Sequence, residues 1–493
     1  MLIDHPGSGS GTDTIAGALA ADRLGAPSVV YFVLSAAAPL TVVAGVVTTA
    51  YAVTGITGLP IAFLVVGAVL ALFSVGYVAM ARHIANAGAF YAYVTNGLGR
   101  PAGVGAAWIA LIAYNALQVG LYGALGATAA PLIVQWAGVE IPWWLIALAA
   151  WLLVAALGVM RVDVNGRLLA VLLTAEVAVI LLFDVADLLN PAAAGAASAL
   201  SPAALFAPGV GALLVIATTG FVGFESSVVF SEESRDPRRT VPIATYASVA
   251  IIAVLYALSS WAMTVATGPE GIVAAARRDG PETIFVLATA HLGDTVVTIA
   301  RVLFLTSLIA AMISFHNTTA RYFFALGRER VLPAAFGRTG RRTGAPKIGS
   351  LAQSTLGLIA IVVYAMAGLD PLVHLFFYTG TFGGFGVLLL IAATSVSVVA
   401  FFARNPTGES VWRRVAAPVL ATAALVTMVS LALANFATLL GAEEDSPLRW
   451  ALPAIYVVAA ALGVAWALVL RATQPGVYAR IGMGAKAVTG GAP

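Results

Sequence analysis

Thr218-Thr219-Gly220-Phe221-Val222-Gly223-Phe224-Glu225 interrupts an apolar window that runs from 207 to 231. Two glycines three apart, flanked by threonines, weaken a helix, because glycine loses more backbone freedom on ordering than alanine does. An earlier window, 29–53, carries a matching interruption, Ser35-Ala36-Ala37-Ala38-Pro39. Proline removes a backbone N–H and clashes with the carbonyl four residues before it, here that of Ser35. Paired breaks at corresponding places in two halves of a chain point to a transport site near the bilayer midplane. Free carbonyls at a break suit an ammonium or other cation, and half-helix N-termini suit an anion. The plainer alternative is that proline and glycine merely kink membrane helices.

The rest of the chain has the composition that this reading needs. Of 493 residues, 61% are hydrophobic and 10% charged, against about 45–50% and about 25% in soluble domains. A water-soluble fold is excluded. Twelve apolar windows fall at roughly 29–53, 59–81, 102–134, 143–160, 168–189, 207–231, 242–267, 295–320, 349–367, 371–402, 415–440 and 450–471. Each is near or above the ~20 residues that a spanning helix needs, which predicts an all-α integral membrane protein with twelve transmembrane helices. The runs are continuous rather than alternating, which argues against a β-barrel. The 49 glycines suit close packing of membrane helices. Cysteine is absent, which rules out disulfides, thiolate catalysis and cysteine metal sites.

Lysine and arginine in the short loops orient the spans. With the N-terminus cytoplasmic, twenty-one of the 25 basic residues lie inside, three (Arg277, Arg278 and Arg449) lie outside, and Arg301 falls within a span. Both termini are therefore expected in the cytoplasm. Residues 1–26 hold Asp4, Asp13, Asp22 and Arg23 and a Gly/Ser patch, which reads as a disordered cytoplasmic tail rather than a signal peptide. Segment 268–294 reads equally as a plain loop or as a short helix over the outer mouth. Segment 441–449 reads as a solvated acidic loop.

Charged groups in hydrocarbon mark functional paths by default. Glu225 follows the second interruption at about mid-membrane. It reads either as a group that exchanges protons or as a cap on the unwound backbone of span one. Glu176, about nine residues into span five, reads as a second proton site, as the partner of a bound cation, or as a protonated structural acid. Asp184 and Asp187 lie nearer the outer end, where Arg301 pairs with one of them or snorkels to the interface. Tyr114, Gln118 and Tyr122 recur at i, i+4 and i+8, so one face of span three carries them. With Asn115 they form a polar stripe that faces a cavity or bonds between helices. His316 and Asn317 fall in span eight, where a histidine relays protons or simply packs. Ser35, Ala36, Ala37, Ala38 and Thr41 at the first break, with Thr218, Thr219, Gly220, Phe221 and Gly223 at the second, are the candidate substrate-binding residues. Phe221 is the candidate aromatic cover, and Phe377, Tyr378 and Thr381 of span ten complete the pocket wall.

Three stretches resemble one family, the amino acid–polyamine–organocation (APC) permeases. Phe221-Val222-Gly223-Phe224-Glu225, followed by Glu232-Glu233-Ser234-Arg235-Asp236-Pro237-Arg238-Arg239-Thr240-Val241-Pro242, is similar to the family's G-F-E…E-E…N/D-P-x-R-x-x-P. Arg321-Tyr322-Phe323-Phe324-Ala325-Leu326-Gly327-Arg328-Glu329-Arg330-Val331-Leu332-Pro333 is similar to S-R-x-x-Y-A-M-A-R-D-G-x-L-P. Ala87-Gly88-Ala89-Phe90-Tyr91-Ala92-Tyr93 looks like A-G-G-x-Y-x-Y. The resemblance implies a 5+5 inverted repeat with discontinuous helices 1 and 6, plus two C-terminal helices. On that plan 27–405 is the transport core, 406–472 holds helices 11 and 12, and 473–493 is a second cytoplasmic tail. It also implies secondary transport of an amine-bearing substrate coupled to protons or to exchange, with Glu225 as a coupling and gating residue. The chain departs from the family at three places. Ala37-Ala38-Pro39-Leu40-Thr41 replaces a G-x-G stretch that holds substrate carboxylate. Glu176 is the nearest equivalent of a membrane-embedded lysine that several proton-coupled members carry in span five, no lysine lying in any span here, and Glu329-Arg330 replaces Asp-Gly at a helix end.

There is no P-loop, G-x-S-x-G or H-E-x-x-H motif and no clustered metal ligands, so neither an enzyme nor a cofactor is expected. Energy must come from ion or substrate gradients. The expected function is proton-coupled uptake of an amino acid or related amine by alternating access, with the lipid bilayer and a proton as partners and no nucleic acid. Alternatives are a substrate/product exchanger and a polyamine or organic-cation permease; a channel or transporter-like receptor is a more distant one. Arginine-rich, alanine-rich usage suggests a bacterial inner membrane.

Overall fold

The computed structural model describes residues 25–84, 86, 88–160, 162–192, 196–229, 234–340, 343–405, 408–484 and 487. Residues 1–24 of the expected N-terminal tail lie outside the described residues. So do Ala87, Arg161, Glu232, Glu233, Arg341, Arg342, Lys486 and 488–493, and the side chain of Arg167.

The described residues are mostly helical and include no strand. The chain opens with α1 Ala26–Ala37, α2 Pro39–Thr41, a π-helical turn at Val42–Val47, and α3 Thr48–Thr54. Then come α4 Leu59–Ala81, α5 Ala89–Leu98, α6 Arg100–Ala137, α7 Trp143–Gly158 and α8 Val162–Leu189. After α9 Pro202–Leu205, the second interrupted passage comprises α10 Val210–Thr219 and α11 Ser226–Val229. It is followed by α12 Pro237–Thr267, α13 Pro269–Asp279, α14 Thr283–Arg328 and α15 Lys347–Met366. A π-helical turn at Pro371–Phe377 leads into α16 Tyr378–Arg404. The last elements are α17 Ala417–Ala434, α18 Phe436–Leu439, α19 Leu448–Thr473 and α20 Pro475–Arg480. Among the described residues, nine stretches are long and apolar enough to cross a membrane by length and composition, and α7 and α10 are shorter apolar helices. Together with α8 they fall in the twelve apolar windows.

Segment 268–294 is helical rather than a plain loop. Proline at the first turn starts α13, and Gly280 at φ 53 ends it. Gly293, at φ 78 and ψ 166, bends the chain within Thr283–Arg328. That conformation is open to glycine and strained for other residues.

Small residues set the helix spacing. A methyl on Gly97 would lie 2.6 Å from the Ser397 backbone, so α5 meets α16 backbone to backbone. Such approaches hold helices together by van der Waals contact where lipid offers no hydrophobic drive. Arginines gather at one end of the bundle, where Arg82, Arg100, Arg235 and Arg238 border a single hollow of about 910 Å³. At the other end, Arg277 donates to the Ala52 carbonyl at 2.9 Å, which ties α13 to α3.

Candidate functional site

The first break centres on Ala38, whose φ of 44 and ψ of 71 are left-handed. A non-glycine residue there costs about 1–2 kcal/mol. The Ala38 N–H donates to Leu34 O at 3.0 Å and to Ser35 O at 3.2 Å, which closes α1. Pro39 then opens α2 at a first-turn position that needs no N–H. Val42 N–H donates to Ala38 O at 3.0 Å as the helix resumes.

The second break runs through tight turns. Phe221 N donates to Thr218 O at 2.9 Å, Val222 N to Thr219 O at 3.2 Å, and Phe224 N to Phe221 O at 3.1 Å. Gly223 sits at φ 113, and a methyl there would lie 2.7 Å from Ala36 Cβ and 3.0 Å from Ala36 C. The two interruptions, far apart in sequence, therefore touch. From α12, the Tyr256 hydroxyl donates to Ala37 O at 3.2 Å and so occupies a carbonyl freed by the break.

A cavity of about 80 Å³ lies against the first break. Its wall takes Ala36, Ala37, Ala38 and Thr41 from that break, Thr219 from α10, and Phe377 and Thr381 from the start of α16 and the turn before it. That is smaller than the usual small-molecule site of about 300–1,000 Å³, so a substrate larger than a few atoms needs the surrounding helices to move apart. Leu117, Leu121, Phe315 and Phe376 add apolar surface that the sequence did not mark. Their facing depends on packing, and apolar residues fill every side of these helices.

Other candidates lie behind the wall. Phe221 is fully buried between Phe63 and Tyr256, at centroid distances of 6.3 and 6.5 Å, rather than over the cavity. Phe315, Phe376 and Phe377 are the aromatics that face the space. Ser35 and Thr218 are buried at their helix ends, and the Thr218 hydroxyl donates back to Leu214 O at 2.7 Å. Gly220 packs on Val42 and Phe63. Tyr378 stands edge-on to His374 at 5.6 Å.

The polar stripe of α6 divides. Tyr114 turns to Glu225. Gln118 joins a separate buried network, accepting from Gln353 Nε2 at 2.6 Å and donating to Tyr122 at 3.1 Å. His316 Nδ1 lies 3.5 Å from Gln118 Nε2, and its Nε2 is 2.7 Å from Ser350 Oγ. That network links α6, α14 and α15 by interhelical hydrogen bonds.

Two carboxyls hold the breaks from behind. Glu225 is fully buried; Oε1 accepts from the Tyr114 hydroxyl and Oε2 from the Gly223 N–H at 2.9 Å. The Tyr77 hydroxyl donates to its backbone carbonyl at 3.3 Å. Glu176 is 2% exposed and meets the Ser307 hydroxyl and the Leu40 N–H at the start of α2. Thr41 Oγ1 lies 3.1 Å from the same Ser307 hydroxyl, and Glu176 Oε2 has no hydrogen-bond partner among the described residues. Arg301 does not reach Asp184 or Asp187. It donates to Glu282 Oε2 at 2.9 and 3.1 Å, because α13 and its turn bring Glu282 alongside. Asp184 instead accepts from Ser259 at 2.9 Å. Among the described residues, no three histidine, aspartate or glutamate side chains gather as metal ligands.

Apolar helices that run through the described residues, with two broken ones meeting beside a cavity, define a multi-pass membrane protein. The chain belongs to the amino acid permease family, whose model matches residues 28–474; members of that family are transporters. Over 160 residues it is 28% identical to cationic amino acid transporter 6, chloroplastic, of Arabidopsis thaliana. Over 162 residues it is 30% identical to cationic amino acid transporter 7, chloroplastic, of the same plant. Each match covers 31% of this chain and spans a quarter of the relative's length.

Proposed function

We propose that the chain is a secondary active transporter that takes up an amino acid with protons, by alternating access across a bacterial inner membrane with both termini cytoplasmic. The observation that supports it most is the contact of Gly223 with Ala36 beside a cavity walled by the first break. A substrate ammonium at the C-terminal end of α1 meets the negative end of that helix dipole, and a carboxylate at the start of α2 meets the positive end of the resumed helix. The relatives' printed names, which concern cationic amino acids, support an amino acid as the substrate class.

Glu225 and Glu176 are the coupling carboxyls. Each touches backbone at a break, Gly223 N–H for Glu225 and Leu40 N–H for Glu176. A carboxylate accepts these hydrogen bonds, whereas a protonated carboxyl also carries a donor. Gain or loss of a proton therefore changes which backbone arrangement each acid holds. The helices fall into two inverted groups of five, with α17 and α19 outside them.

The test is uptake by the full chain in proteoliposomes. An inward proton gradient drives accumulation of the amino acid by the native protein. Glu225→Gln loses that accumulation yet keeps counterflow exchange. Gradient-driven accumulation that persists unchanged in Glu225→Gln removes the coupling role. Counterflow with no response to a gradient in the native protein leaves an exchanger.

A further inference from the structure

On the reading that this cavity is the transport site, we propose that its substrate is a zwitterionic amino acid with an uncharged, apolar side chain, aliphatic or aromatic. A cationic amino acid or a polyamine does not suit it. Among the described residues, the wall contains no aspartate, glutamate, lysine, arginine or histidine. Its side-chain hydroxyls among the described residues are those of Thr41, Thr49, Thr219 and Thr381. Two of these are engaged elsewhere: Thr41 with Ser307 at 3.1 Å, and Thr219 with the Val215 carbonyl at 3.1 Å.

The nearest buried acids are no substitute for a counter-ion in the wall. Glu225 stands behind the second break, with both oxygens engaged by Tyr114 and Gly223. Glu176 lies on the far side of Leu40, and neither acid borders the space. Besides those hydroxyls the described lining offers only backbone at the break, where the Ala37 and Ala38 carbonyls already accept from Tyr256 and Val42, so a second charged group on the substrate would find no partner there. A guanidinium or second ammonium would lose its water and find no opposite charge, the costliest arrangement for an ion out of water. A leucyl or phenylalanyl side chain would meet Ile216, Leu117, Leu121, Phe315, Phe376 and Phe377, and its transfer from water is favourable.

Gly380 offers a way to probe the size of that space. It borders the cavity, and a methyl on it would meet no atom within 4 Å. A side chain there begins in open space beside the cavity.

The experiment is counterflow of labelled leucine in proteoliposomes of the full chain, competed by unlabelled leucine, phenylalanine, alanine, arginine, lysine and putrescine. Leucine and phenylalanine compete roughly 10-fold or more better than alanine, since each methylene in an apolar pocket is worth about 10–200-fold. Arginine, lysine and putrescine compete at least roughly 100-fold less well than leucine. Gly380→Val lowers competition by phenylalanine relative to alanine by roughly 10-fold or more. Competition by arginine, lysine or putrescine equal to that by leucine overturns the proposal, as does absence of leucine counterflow. An unchanged phenylalanine-to-alanine ratio in a folded Gly380→Val protein places the side-chain site elsewhere and overturns it too. The native panel needs no variant to fold. Leucine counterflow that ignores a proton gradient sinks the coupling proposed above while leaving the substrate class standing.

Discussion

The Tyr114 hydroxyl on α6 donates to Glu225 Oε1 just beyond the second break, while Glu225 Oε2 accepts from the Gly223 N–H two residues back at 2.9 Å. One carboxyl thus joins a long unbroken helix to the glycine that meets Ala36. Tyr114 itself is braced by Tyr322 and Phe315, with ring centroids 5.6 and 6.2 Å away. Tyr114→Phe keeps that packing and removes only the donor. A hydrogen bond to a charged group is worth about 1.5–3 kcal/mol, so the variant is expected to melt earlier and to shift the pH profile of uptake. Unchanged melting together with an unchanged profile would show that Tyr114 does not hold Glu225.

The breaks themselves were legible in the sequence, because proline and paired glycines act on the backbone locally. The contact between them was not. It depends on Gly223 at φ 113 lying against Ala36, and no periodicity encodes a meeting of residues so far apart. Phe221 shows the same limit. Its place on the broken segment suggested a substrate cover, yet only three-dimensional packing reveals that its ring turns towards Phe63 and Tyr256. The i, i+4 spacing put Tyr114 and Gln118 on one stripe, but the stripe is wide enough for Tyr114 to meet Glu225 and Gln118 to meet Gln353. Arg330 was read only as a departure from the family's glycine; at φ 65 it occupies a conformation that glycine adopts more easily.

Gly223→Ala combines two penalties. The left-handed conformation is costly for any side chain, and the added methyl meets Ala36 Cβ at 2.7 Å and backbone atoms at 3.0 Å. Backbone strain and overpacking each cost about 1–3 kcal/mol, so a loss of about 3 kcal/mol or more is expected, with little folded transporter recovered. Gly380→Ala, into open space, serves as the control and should melt close to the native protein. Equal melting of the two variants would contradict the close approach of the breaks.

Glu176→Gln tests the other carboxyl. Glutamine retains an oxygen for the Leu40 N–H and Ser307 but cannot lose a proton. Binding of the amino acid, read by thermal shift, should survive. The response to a proton gradient should fall by roughly 5–150-fold, the usual range of coupling between two sites. If binding and gradient response fall together, Glu176 only supports the local structure.

Glu329 offers a prediction away from the transport site, at the arginine-rich end of the bundle. Its buried carboxyl accepts from Asn86 Nδ2 at 3.0 Å, the Tyr91 hydroxyl at 2.5 Å, Gly482 N–H at 2.6 Å and Gly484 N–H at 2.7 Å. Gly482 and Gly484 both have positive φ, 84 and 60, and successive N–H groups in such turns form a concave anion site. The end of α14, the helix α5 and the segment after α20 thus meet on one side chain. Arg100 adds a second tie, donating to the Ala479 carbonyl at 3.1 Å. Glu329→Ala removes the acceptor of four donors, of which Gly482 N–H keeps the Tyr91 hydroxyl at 3.2 Å; each donor left buried without a partner costs about 1–3 kcal/mol, and the relief is for the segment beyond residue 480 to leave. Limited proteolysis should then cleave that segment in Glu329→Ala well before it does so in the native protein. Tyr91→Phe, which removes one donor of the four, should cost only about 1 kcal/mol and leave the segment protected. Equal protection of all three proteins would mean that Glu329 does not hold the segment in place.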